Sequence, residues 1–224
     1  MQDVVKVVPV CSTVFDVLQK LYVLIEGSPK RHSEYLSCLS DLRLENGPSV
    51  LQSLSATRWS ARCVNLRIVY RCLPAIKRFL EDQETRDARG MLAVVNGAQF
   101  SFGLQFLREL FISVNATSEA LQASETDLAA AATAIASLRS NVAAMRNTAN
   151  EFERLYNAAD IDTRVSQSQP SKRIRTVPSN LTNFVTDRFL TNSADAVSTA
   201  NVAERTKQQL KLDFFIPVLD AVLL

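Results

Sequence analysis

"LQASETDLAAAATAIASLRSNVAAMRNTANEFERLY", residues 121–156, repeats its apolar side chains every seven positions. Leu121, Leu128, Ile135, Val142, Ala149 and Tyr156 form one series; Ala131, Leu138, Met145 and Phe152 form a second, offset by three. Such a seam belongs to a helix that packs along its length, and 35 residues at 1.5 Å each make a rod of roughly 50 Å. Just upstream, Phe102, Phe106, Leu110 and Val114 recur every four residues and share one helical face, in a helix expected to end near Asn115. Two helices, 99–115 and 118–159, are therefore expected to fold back on each other as a hairpin. The alanine run Ala129–Ala132 would let the neighbouring helix approach closely. An intermolecular coiled coil is the competing reading, but the flanking positions lack the opposite charges that select a partner helix.

The rest of the chain agrees with this helical reading. It has 5 glycines and 7 prolines in 224 residues, and Asn46-Gly47-Pro48 ends a helix instead of turning a hairpin. Leu, Ala, Arg, Gln and Glu, whose side chains lose little freedom in a helix, dominate the middle. A first helix is expected over 11–26, stopped by Gly27. Ser28 and Pro29 open a second, ending near Arg43. Cys63, Leu66, Val69, Tyr70 and Leu73 mark a third, which Pro74 should kink or end, and a fourth segment passes through Ile76, Phe79 and Leu80. The expected class is all-α, an elongated helical bundle with a long helical hairpin.

Three regions follow from composition. Residues 1–160 carry the bundle. Residues 161–180, "IDTRVSQSQPSKRIRTVPSN", exchange the apolar stripe for Ser, Gln and Pro and hold a basic cluster of Lys172, Arg173 and Arg175, as a flexible linker would. That cluster reads either as a solvated loop or as a patch for phosphate or nuclear import. Residues 181–224 form a C-terminal helical segment that re-enters helix at about 202. Leu210, Phe214, Val218, Ala221 and Val222 then run on to Leu224 without a capping residue, so the helix reads as truncated.

Charge and motifs narrow the functions. With 25 basic and 23 acidic residues, the net charge of +2 attracts neither nucleic acid nor an acidic membrane as a whole, so any DNA contact must be local. No apolar run approaches the roughly 20 residues needed to span a bilayer. Cys11, Cys38, Cys63 and Cys72 have no paired spacing and His32 is the only histidine, so no metal site is expected and the thiols read as reduced. His32 lies in the polar context "PKRHSEY", without glycines for an oxyanion hole. Phosphate-binding loops are missing too. Neither a cofactor nor an enzymatic activity is expected.

One short stretch stands out from this background. "LSATRWSARCVNL", residues 54–66, holds the single tryptophan of the chain, Trp59, between Arg58 and Arg62. Flanked by Leu54, Val64 and Leu66, Trp59 can be a core anchor with its indole N–H satisfied locally. The competing reading, which the residues alone favour less, is an aromatic used to handle nucleic acid.

The segment "LQSLSATRWSARCVNLRIVY" resembles the Leu-x-x-Leu-x-x-Thr-Arg-Trp-Ser-x-Arg element of hAT-superfamily transposases and their domesticated, zinc finger MYM-type-like relatives. "GSPKRHSEYL" upstream is similar to that family's Ser-x-Lys-Arg element. "LFISVNATSEALQASETDLAAAATAIASLRSNVAAMR" is similar to its Asn-x-x-Ser-x-x-Leu-Gln segment and long helix, and "PSKRIR" and "FFIPVLDAVL" fall where it has a basic linker and a following helix. The resemblance is to the helical insertion within an RNase H-like catalytic core. It implies that the acidic metal-binding residues lie outside this stretch and that the chain has no catalysis of its own. By the same resemblance Trp59 would stack on a base at a transposon end, and Arg58 and Arg62 would contact phosphate in a nuclear protein. The alternative expectation is a nuclear scaffold that binds protein partners through the helical hairpin. Neither reading involves a membrane.

Overall fold

The computed structural model describes residues 9–54, 59–123, 127–159, 161 and 199–223. Among these there is no strand, and the class is all-α. The helices are α1 (Pro9–Glu26), α2 (Pro29–Asp41), α3 (Trp59–Asp82), α4 (Arg86–Val95), α5 (Ala98–Gln122), α6 (Leu128–Asn147), α7 (Glu151–Ala158), α8 (Thr199–Leu210) and α9 (Ile216–Leu223). A π-helical turn, Lys211–Phe215, joins the last two.

The centre is α5. From Phe100 to Leu107 every side chain is buried, so this part of the helix is covered on all sides. Phe102 is the hub of an aromatic cluster: its ring lies 5.9 Å from Phe106, 5.2 Å from Phe152 and 5.9 Å from Phe214. Gly103 makes this density possible, since a Cβ there would come within 2.7 Å of Val14 and 3.0 Å of Phe214. The π turn has a related role. Its wider winding rotates Phe214 and Phe215 so that both adjacent residues are buried in the same core.

The hairpin forms, but its arms differ from the sequence expectation. Helix α5 continues past Asn115 to Gln122, and the second arm is not one rod over 118–159. Asp127 starts α6 by accepting the Ala130 N–H at 2.6 Å. At the other end Thr148 donates its hydroxyl to the Ala144 carbonyl at 2.7 Å, and α7 begins anew after Asn150. The polar run 147–150 thus breaks a helix that the heptad pattern reads through. The seam is used unevenly as well. Val142 and Phe152 are buried, whereas Leu128 is 87% exposed.

Helix α6 is also long and apolar enough, at a mean hydropathy of 1.2, to cross a membrane by length and composition, with 6% of that stretch buried. The expectation that no apolar stretch comes near spanning length is not met by α6 on this measure, because its alanines carry the average across the interrupting Thr, Ser, Asn and Arg. Two arginines tie it to the bundle: Arg146 Nε donates to Asp220 Oδ1 at 2.5 Å, and Arg139 donates to the Leu223 carbonyl at 3.1 Å.

Pro74 neither ends α3 nor divides it into two segments. A proline inside a helix removes one N–H and costs about 3 kcal/mol. Here Pro74 is exposed and so is Tyr70, whose carbonyl loses the bond, while Val69, Cys72, Ile76, Phe79 and Leu80 stay buried on the other side. Continuous burial of that face outweighs the local loss. Helix α2 ends slightly before the expected Arg43, in a Schellman motif. Leu44 N–H reaches the Leu39 carbonyl and Arg43 N–H the Ser40 carbonyl, both at 2.9 Å, with Arg43 left-handed at φ 56°. Ser28 precedes α2 as expected, yet its hydroxyl makes no cap bond.

Candidate nucleic-acid interface

The segment 46–54, upstream of Trp59 in the sequence, is held by side chains. Between α2 and α3 the described chain, residues 42–54, has no helix or strand to satisfy its backbone. Three helices supply the partners instead. Tyr35 of α2 donates to the Ser49 carbonyl at 3.3 Å. Arg71 of α3 donates to the Asn46 carbonyl and, at 2.5 Å, to that of Pro48. Asn65, fully buried on α3, takes the Gln52 N–H at 2.8 Å and donates to the Gln52 carbonyl at 2.5 Å. From α1, Glu26 accepts the Leu51 N–H at 3.2 Å and Gln19 the Leu54 N–H at 2.8 Å.

These contacts make a fixed track. Leu51 is buried beneath it, and Gly47 (φ 123°) lets it turn where a Cβ would strike the Arg71 guanidinium. Burial, then neighbouring Cys72, pushes the Tyr35 phenol above its usual range, so it stays a proton donor. His32 lies beside Glu26, with its Nδ1 2.8 Å from Glu26 Oε2.

The residues read from sequence as DNA contacts fall differently. Trp59 is the first residue of α3, but its side chain lies outside the described residues, as does Arg58. Arg62 is one turn further on, its guanidinium 4.8 Å above the centre of the Phe15 ring of α1. Burial lowers the Arg62 pKa from its usual value. This arginine therefore packs the α1–α3 seam whatever else it contacts. The basic cluster of Lys172, Arg173 and Arg175, with the whole 162–198 stretch, lies outside the described residues.

One signal was available in the sequence and went unread. From Asn46 to Leu80 there is no acidic residue, while Arg58, Arg62, Arg67, Arg71, Lys77 and Arg78 are all basic. In the fold Arg71 is engaged with the track, and Arg78 lies 3.1 Å from Asp41. Arg67 is exposed and, with Pro48, Val64, Ile68 and Arg71, lines a crevice of about 170 Å³ beside the track. Among the described residues no group of three His, Cys, Asp or Glu side chains could hold a metal ion. The four cysteines are free and buried.

Comparison of the chain with protein-family models, with curated proteins and with solved structures returns no match.

Proposed function

We propose that this chain is a helical DNA-contacting region of a transposase-derived protein, of the kind inserted in hAT-superfamily transposases, acting in the nucleus without catalysis of its own. The observation that carries the reading is the clamped track 46–54, which leads to Trp59 in a stretch free of acids and rich in cations. Five side chains, those of Gln19, Glu26, Tyr35, Asn65 and Arg71, hold this non-helical segment. Such precision suits a residue that must meet a ligand at a fixed place. In this reading Trp59 stacks on an unpaired base, and Arg58, Arg62 and Arg67 meet the backbone near the first turn of α3. That turn has no acid to oppose a phosphate.

Fluorescence anisotropy with hairpin and splayed-end duplexes tests it. Trp59→Ala should weaken binding about tenfold or more, as loss of one stacked base implies. Equal affinity of wild type and variant would remove Trp59 from the interface.

A second reading is favoured by one observation. Leu128, Ile135, Ile112 and Leu121 remain exposed on the α5–α6 hairpin, an apolar surface that a protein-scaffold role would use. If the chain binds none of these DNAs above its binding to plain duplex, the scaffold reading takes precedence.

A further inference from the structure

Between α1 and α4 lies a groove of about 770 Å³, whose lining includes Gln19, the residue that also accepts the Leu54 N–H. That volume falls among small-molecule sites, roughly 300–1,000 Å³. Its floor is apolar, made by Val17, Val23 and Leu24 of α1 and by Met91 and Val94 of α4. Val23 and Val94 are 55% and 44% exposed, so solvent now touches apolar surface on both walls. The rim is cationic: Lys20, Arg31 and Arg86 stand against the single acid Asp87. Among the described residues none of these three cations has an ion-pair partner. Arg31 Nε is shielded from solvent and lacks a hydrogen-bond partner.

Gly90 adds an independent observation. A glycine inside a helix costs about 1 kcal/mol relative to alanine, and it is usually explained by a close neighbour. Gly103 has such neighbours, but a Cβ on Gly90 would meet nothing within 4 Å. Gly90 instead lines the groove, where the missing side chain lowers the wall.

We propose that this groove binds a small amphipathic organic anion, a fatty-acid-like carboxylate. Its apolar body lies along Val17, Val23, Leu24, Met91 and Val94, and its charged head meets Arg31, flanked by Lys20 and Arg86. The apolar floor selects a hydrocarbon body and the three-to-one excess of cations selects a negative head. The proposal does not rest on the DNA-contacting reading.

The test uses the full chain and anilinonaphthalene sulfonate, a fluorescent apolar anion, with sodium dodecanoate as competitor. Saturable one-to-one binding is expected, displaced by dodecanoate and at least tenfold less well by dodecyltrimethylammonium. Arg31→Ala should weaken dodecanoate about tenfold, the scale of one lost charge-assisted hydrogen bond. Gly90→Leu fills the groove from its open side without touching the core, so it should abolish binding while leaving the melting temperature unchanged or higher. Binding that survives Gly90→Leu, or equal displacement by the cationic surfactant, would overturn the proposal. So would tighter competition by an amphipathic Leu/Glu helical peptide, which would make the occupant a protein segment.

Discussion

Asn65 closes its side-chain amide on the backbone of Gln52, accepting from the N–H at 2.8 Å and donating to the carbonyl at 2.5 Å. The pair is what a strand neighbour would provide, delivered by one fully buried side chain of an all-helical protein. Asn65→Ala leaves two backbone groups without partners, at about 1–3 kcal/mol for each one that stays buried. A loss of about 2 kcal/mol in urea unfolding is expected, with faster hydrogen exchange over 49–54. If the track aims Trp59, the same variant also weakens hairpin-DNA binding although Asn65 never touches the ligand.

Three backbone positions should respond in opposite directions. Gly103→Ala drives a methyl into Val14 and Phe214 and should cost about 1–3 kcal/mol, the usual price of overpacking. Gly90→Ala meets open space in a helix and should stabilise by about 0.5–1 kcal/mol. Arg43→Gly relieves a left-handed residue at the end of α2 and should gain about 1 kcal/mol. Thermal melts of the three variants decide the signs.

How much of this could be read from the chain depends on what the pattern reports. Periodicity reports burial, and it placed α1, α2 and the buried face of α5 well, because Leu18, Leu21, Tyr35, Leu39, Phe102 and Phe106 face one core. It says little about where a helix stops. The α6–α7 break rests on Thr148 folding back onto Ala144 and on Asn150, which leave the seven-residue repeat intact. Pro74 misled in the opposite sense, since the cost of one proline was set against an apolar face whose continuity on both sides was legible. Helix α4 was missed: its ten residues include Gly90, and its start depends on Thr85 accepting the Ala88 N–H. The track was illegible because Gln19, Glu26, Asn65 and Arg71 look like surface polar residues until the chain they hold is brought alongside.

Acid should weaken the Glu151–Arg154 pair in the first turn of α7. Arg154 donates to Glu151 at 2.7 Å and also to Glu109, and the bond from Arg154 lowers the Glu151 pKa below its usual value. A depressed folded pKa gives stability that is present above the unfolded value near 4.5 and lost as pH falls through the folded one. Stability measured from pH 6 to 3 should therefore decline below about 4.5 in the wild type, with part of that decline absent in Glu151→Gln.

Alkali acts through a thiol. Cys11 is buried, and burial pushes its pKa from 9.0 up to about 12. Because the folded value is the higher one, this contribution is complete below pH 9, where both states hold the proton, and fades as pH rises towards 12. The slope between those limits should be about 1.4 kcal/mol per pH unit for one thiol. Cys11→Ser should flatten the alkaline limb, and native Cys11 should resist iodoacetamide at pH 8 until the protein is unfolded.

Two arginines on α3 separate packing from recognition. Arg62 lies over Phe15, so Arg62→Ala should lower stability by about 0.5–1 kcal/mol even with no DNA present. Arg67 is exposed beside the track and has no ion-pair partner among the described residues, so Arg67→Ala should leave the melting temperature within about a degree. If α3 meets a phosphate backbone, Arg67→Ala still weakens binding and reduces the slope of log affinity against log salt by about 0.7–0.9, one phosphate contact. Anisotropy titrations between 50 and 200 mM salt, the range over which such a contact is read, measure that slope directly. An unchanged slope in Arg67→Ala, together with a destabilised Arg62→Ala, would leave this face of α3 with a packing role alone.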